Sequence, residues 1–167
     1  MGRPRKYTLN INYFDNINSE EKAYFLGFLY ADGHNQKTKG TVRLILSKKD
    51  DNILKKFAYL VETNNPIKYN VITIKGKKYD SAGLYMNSVH MCKKLESYGM
   101  TQKKSLTVEF PYINNKYLHH FIRGYFDGDG SITINKKGQP KISICGSKPF
   151  LIVLRNIFRK KCRFKSC

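Results

Sequence analysis

Two aspartates, Asp32 and Asp129, each stand immediately before a glycine at the end of a short apolar segment. The segments are alike: AYFLGFLYADGHN at residues 23–35 and HFIRGYFDGDGSI at residues 120–132, with Gly27 matching Gly124 and Gly33 matching Gly130. Residues four apart share a helix face, so Gly27 with Ala31, and Gly124 with Gly128, form two small-residue stripes that let helix backbones approach closely. Gly33 and Gly130 suit helix C-caps at positive φ, which would put each aspartate in the last turn of its helix. Carboxylates there oppose the helix macrodipole and repel one another. A hard divalent cation with oxygen ligands between them offsets both effects. Such a cation also lowers the pKa of water and stabilises the charge that develops in phosphodiester hydrolysis. Taken singly, each Asp–Gly pair reads as an ordinary turn dipeptide. The repetition of stripe, aspartate and glycine favours a paired site.

The elements that must position the pair follow from hydrophobic period. The offset of 97 residues between the segments continues downstream, where Asp50, Ile53, Leu54, Phe57 and Leu60 fall on Ser147, Phe150, Leu151, Leu154 and Ile157. Residues 41–47, 131–135 and 141–145 alternate apolar and polar side chains as strands do. Further strands are expected near residues 68–75 and 81–86, with helices over 50–62 and near 89–98. The first copy thus reads αββαββα. The second is expected to stop after its second helix, an incomplete repeat. Division into a basic arm (1–18), a first half (19–116) and a second half (117–167) follows, with an α+β, pseudo-two-fold architecture.

The stretches FLGFLYADG (25–33) and IRGYFDGDG (122–130) resemble two copies of the LAGLIDADG motif of homing endonucleases. The resemblance implies motif helices at the interface of two αββαββα halves, and a metal-dependent DNA endonuclease whose Mg²⁺, or Mn²⁺ in its place, is bound by Asp32 and Asp129. It also implies a basic residue near the metal, here Lys104 with Lys103 beside it. Tyr30 stands where the motif has an earlier aspartate, and only the second copy has such a residue, Asp127, expected to be structural. A degenerate endonuclease that binds without cutting, or a maturase acting on intron RNA, is the alternative. No splicing residues frame the chain as an intein would require.

Composition fits a polyanionic partner. Against 12 Asp and Glu stand 31 Lys and Arg, a formal charge of +19, which draws nucleic acid by counterion release. A basic ribosome-associated domain, or binding to an anionic membrane, would also carry such charge. The apolar segments are too short to span a bilayer, so a soluble intracellular protein is expected. Antiparallel strands with one apolar face leave alternate residues free for a major groove. These are Thr41, Arg43, Lys68, Asn70 and Thr73, then Thr133, Asn135, Lys137, Lys141 and Ser143. Asn35, Gln36, Lys37 and Lys39 follow the first motif in an expected loop, with His34 a weaker candidate for a base. Residues 2–6, GRPRK, form a basic arm resembling an AT-hook core. Cys92, Cys145, Cys162 and Cys167 lack metal-ligand or disulfide spacing. Double-stranded DNA is the expected partner and intron RNA a second. Either a pseudo-symmetric monomer or a dimer completing the second half fits the repeat.

Overall fold

The computed structural model describes residues 5–101 and 108–161. Its first helix, α1 (Glu20–Asp32), begins where the Ser19 side chain accepts from the Lys22 backbone N–H, with Glu20 and Glu21 favourably placed in the positive first turn. Seven of its residues are buried, from Ala23 to Tyr30, because it lies between its own sheet and a second motif helix. It runs straight into β1 (Gly33–Gln36), which pairs antiparallel with β2 (Thr41–Ser47). Then come α2 (Asp51–Leu60), β3 (Lys68–Ile74), β4 (Lys77–Asn87) and α3 (Val89–Ser97). The order is αββαββα, as expected, and the sheet is antiparallel with strand order β1-β2-β4-β3. One expectation is corrected: residues 33–36 are a strand rather than a loop, too short and too polar to show a period.

The second half contributes α4 (Leu118–Asp129), β5 (Gly130–Ile134), β6 (Pro140–Ile144) and α5 (Lys148–Lys161). An α+β fold with antiparallel sheets is therefore borne out. The two hairpins are built alike: Gly33 pairs with Leu44 in the first, and Gly130 pairs with Ile144 in the second. By that register Ile142 corresponds to Val42 and Ile132 to Asn35. In the first hairpin α3 and Met100 cover this face, and Val42 and Asn35 are buried. In the second, Ile132, Ile134 and Ile142 are 65%, 75% and 66% exposed. The expectation that these isoleucines face a core is thus corrected within the described residues, since α5 buries only Phe150 and Leu154.

The core is continuous across both halves. Phe25 stacks on Phe57 of α2, with ring centroids 4.5 Å apart. Tyr125 of α4 stacks on Phe150 of α5 at 4.2 Å. Tyr30, in place of the motif's earlier aspartate, is buried, donates its hydroxyl proton to the Tyr98 carbonyl, and meets Phe121 edge-on at 5.3 Å. No helix among the described residues is long and apolar enough to cross a membrane.

Candidate active site at the paired motif helices

The α1–α4 contact is reciprocal. A Cβ on Gly27 would run into the Phe121 carbonyl and stand 2.9 Å from the Tyr125 nitrogen. One on Gly124 would run into the Tyr24 carbonyl and stand 3.0 Å from the Phe28 nitrogen. Tyr24 and Phe28 are the counterparts of Phe121 and Tyr125 under the repeat, so the two halves meet about a local two-fold. Glycine is required by backbone contact at both crossings, because any side chain would hold the helices apart.

One turn further along, a Cβ on Gly128 would run into the Ala31 methyl and come within 3.0 Å of Asp32 Oδ2. The Asp32 carboxylate therefore lies against the residue that precedes Asp129. Gly33 and Gly130 are not left-handed caps. Their φ values are −72° and −94°, both extended. They are constrained by space, since a Cβ on Gly33 would approach Leu29 Cδ2 to 2.7 Å and one on Gly130 would approach Phe126 Cε2 to 2.6 Å. A helix that turns directly into a strand leaves no room for a side chain there. Positive φ closes other elements among the described residues: Gly99, at φ +98°, follows α3, Glu62, at +54°, follows α2, and Gly40, at +59°, ends the 3-10 turn after β1.

The surroundings of the two aspartates differ. Asp32 is exposed and lines an open groove of 1130 Å³ with Ile45, Ser47, Tyr79, Ser81 and Asp127. Lys48, Lys49 and Lys78 line the same groove together with Asp50 and Asp80, and Lys48 lies 3.6 Å from the Asp80 carboxylate. Asp129 is half-buried and lines a smaller cavity of 210 Å³ with Tyr30, Val108, Tyr125 and Cys145. Burial first, and then the Asp129 carboxylate, push the Tyr125 phenol above its ordinary range. Its hydroxyl donates to the Cys145 carbonyl at 2.9 Å. Asp127 sits outside this pairing: Tyr24 donates to its Oδ2 at 2.8 Å, and the Arg123 guanidinium lies 5.0 Å from the Tyr24 ring centre. It ties α4 to α1.

Strand register places the other candidates. Thr41, Arg43, Lys68 and Asn70 share one sheet face with His34 and Gln36, because each pairs across the ladder with a residue of the same side. Thr73 pairs with Lys78 and lies on the opposite face, so its grouping with Lys68 and Asn70 is corrected. Asn35 is also corrected. It is 1% exposed, and its side-chain amide donates to the Cys92 and Met100 carbonyls at 2.9 Å each, so it cannot reach a groove. Lys37 pairs with Glu96 at 2.6 Å, and Lys39 is exposed. Thr133, Lys141 and Ser143 lie together on the face opposite Ile132 and Ile142. Asn135 organises the hairpin turn, its Oδ1 accepting from the backbone N–H groups of Lys137 and Gln139. Lys103 and Lys104, like Cys162 and Cys167, lie outside the described residues.

Residues of β4 were missed by sequence reasoning. Tyr79, Ser81, Tyr85 and Asn87 share the face of Arg43 and Lys68, with Lys68 5.1 Å from the Tyr85 ring centre. An alternation count begun at residue 77 rather than 81 would have found Tyr79. No curated protein matches the chain. A family model described as a LAGLIDADG-like domain matches residues 116–152, the stretch that holds α4, its aspartate and the β5–β6 hairpin. Together with the repeated motif helix, that match supports the chain's membership of the LAGLIDADG family.

Proposed function

We propose that the chain is a site-specific double-strand DNA endonuclease in which Asp32 and Asp129 together hold a divalent metal. The family is nuclease-related and binds DNA generally. The observation that carries the reading is the reciprocal fit of Gly27 and Gly124, which draws the two aspartate-bearing helix ends against each other. The donor set suits Mg²⁺, with Mn²⁺ as a substitute. Magnesium is commonly held by one or two carboxylates, with water and substrate phosphate completing its shell. Among the described residues no cluster of three or more His, Cys, Asp or Glu side chains offers a closed cage. When bound, the metal supplies an acidified water and charge stabilisation at the phosphate.

The remaining work falls to the chain's own residues. The face bearing Thr41, Arg43, Lys68 and Asn70 lies along a major groove, and its β-ribbon form fits that groove's width. Lys48 and Lys49 neutralise phosphates beside Asp32, and Lys104 is assigned to the same task. Plasmid carrying randomised inserts, incubated with the chain in Mg²⁺, is expected to yield linear product that EDTA suppresses. Plasmid left intact in both Mg²⁺ and Mn²⁺ would overturn the cleavage reading.

A second reading has its own support: Asp32 and Asp129 open onto separate cavities. On that reading the chain binds DNA or intron RNA and does not cut. Retardation of either nucleic acid without nicking would select it.

A further inference from the structure

Among the described residues the outer edge of β4 has no strand partner beyond Gly83, since β3 pairing ends at Lys68–Gly83. Two side chains take over the ladder. The Asn65 amide donates to the Tyr85 carbonyl at 2.6 Å, and Arg5 Nη1 donates to the Asn87 carbonyl at 3.1 Å. Arg5 is held in reach by a clasp in the following residues. The Thr8 N–H donates to Asn64 Oδ1 at 2.8 Å, the Asn64 N–H returns to Thr8 Oγ1 at 3.1 Å, and Thr63 Oγ1 donates to the Thr8 carbonyl at 2.7 Å. Asn10 adds a backbone bond to Val61 at 2.8 Å. The basic arm is therefore laced to the far end of the sheet.

That end has the chemistry of a phosphate contact. Guanidinium carries five N–H donors, and Arg5, though bonded to Asn87, is exposed, as is Lys6. Both line a shallow groove with Tyr85, Met86 and Asn87 at the open edge of β4, beside the face that carries Arg43 and Lys68. The acid nearby, Glu62, accepts from Asn10 at 3.0 Å. Along β4, Asn87 lies six residues from Ser81 of the Asp32 groove, or ~20 Å at strand rise. A duplex lying on the face advances by about six base pairs over that length, at ~3.4 Å per step.

We infer that Arg5 and Lys6 form a flanking clamp that grips the DNA backbone about six base pairs outward from the Asp32 groove. This extends the footprint on the first-half side beyond what the strands themselves cover. The inference rests on the DNA-binding reading proposed above. The clamp reads no sequence; it sets register and supplies salt-dependent affinity.

The test uses the full chain and a duplex it selects from a random pool, with hydroxyl-radical footprinting and binding measured across a salt series. Replacing Arg5 and Lys6 together by alanine should remove protection from the outer flank on one side only. It should also lower the slope of log K against log salt by about 1.8, two phosphate contacts at ~0.9 each. Arg5→Lys should restore about half of that loss or more. Lys6→Ala alone, which leaves the Asn87 bond intact, should lower the slope by about 0.9. An unchanged footprint and slope in the double variant, with the inner protection present, would overturn the clamp and leave DNA binding standing. A full chain that protects no duplex would overturn the DNA-binding reading and the clamp with it.

Discussion

Tyr24 and Asp127 are hydrogen-bonded across the motif helices at 2.8 Å, and their counterparts under the repeat are Phe121 and Tyr30, which meet as an edge-on ring pair at 5.3 Å. One two-fold-related contact is thus polar at the surface and apolar in the core. The difference accounts for an aspartate at position 127 and a tyrosine at the matching position 30. At position 30 a carboxylate would be buried against Phe121 and Phe150, where an unpaired charge is strongly disfavoured.

Tyr24→Phe should therefore cost about 1.5 kcal/mol of stability, the low end for a hydrogen bond to a charged group. Asp127→Asn should cost no more, because an amide oxygen still accepts. A double-mutant cycle in urea should show the two residues coupled. If Tyr24→Phe and Asp127→Ala proved additive, the bond would contribute nothing.

Backbone contact at Gly27 and Gly124 makes both positions intolerant of a methyl group. Each glycine-to-alanine change should destabilise the chain by ~1–3 kcal/mol through overpacking, although alanine is the better helix former. Thermal melting of either variant at or above the parent temperature would show that the helices do not meet as described.

The two hairpins should respond differently to matched substitutions. Val42→Ala, in the buried first hairpin, should cost about 2 kcal/mol, from the lost methyl groups and the space they leave. Ile142→Thr, at the corresponding exposed position, should lie within ~0.5 kcal/mol of the parent. Denaturation midpoints decide the matter. A large loss at Ile142 would mean that its face is covered in solution.

Alkali should unfold the chain through its buried phenols. Burial is the main cause holding Tyr13, Tyr24, Tyr30 and Tyr125 above the ordinary range, assisted by Glu21 at Tyr13 and by Asp127 at Tyr24. A folded pKa above the unfolded value means stabilisation that is fully present below about pH 10 and is lost as pH rises beyond it. Tyrosinate absorbance should show these four buried phenols ionising only together with loss of the circular dichroism signal. Ionisation of all tyrosines near pH 10 in a folded chain would contradict this.

Much of the fold is legible from period and repeat. The 3.6-residue and two-residue patterns mark α2, β3 and α3 closely, and the shared glycine spacing identifies the helix pair. What escapes is contextual. The φ of Gly33 and Gly130 depends on each helix running directly into a strand, whereas Asp–Gly spelling suggests a cap. Asn35 looks like a loop polar residue, and only the packing of α3 against β1 reveals its amide bonding two carbonyls in the core. Thr73 falls on the wrong face because it stands three residues from Asn70, out of phase with the two-residue alternation of a strand. The isoleucines of β5 and β6 alternate as core residues should, yet alternation says nothing about whether a covering element is there. The reach of Arg5 to Asn87 spans 82 residues and leaves no mark in local sequence.

The central claim is that Asp32 and Asp129 act as one site, and strand-resolved cleavage of a selected duplex by Asp32→Asn and Asp129→Asn tests it most directly. Each substitution preserves size and removes one carboxylate. Both variants should still retard the duplex in Ca²⁺, and neither should release a cut strand in Mg²⁺. Metal-dependent cutting retained by either variant would contradict the assignment.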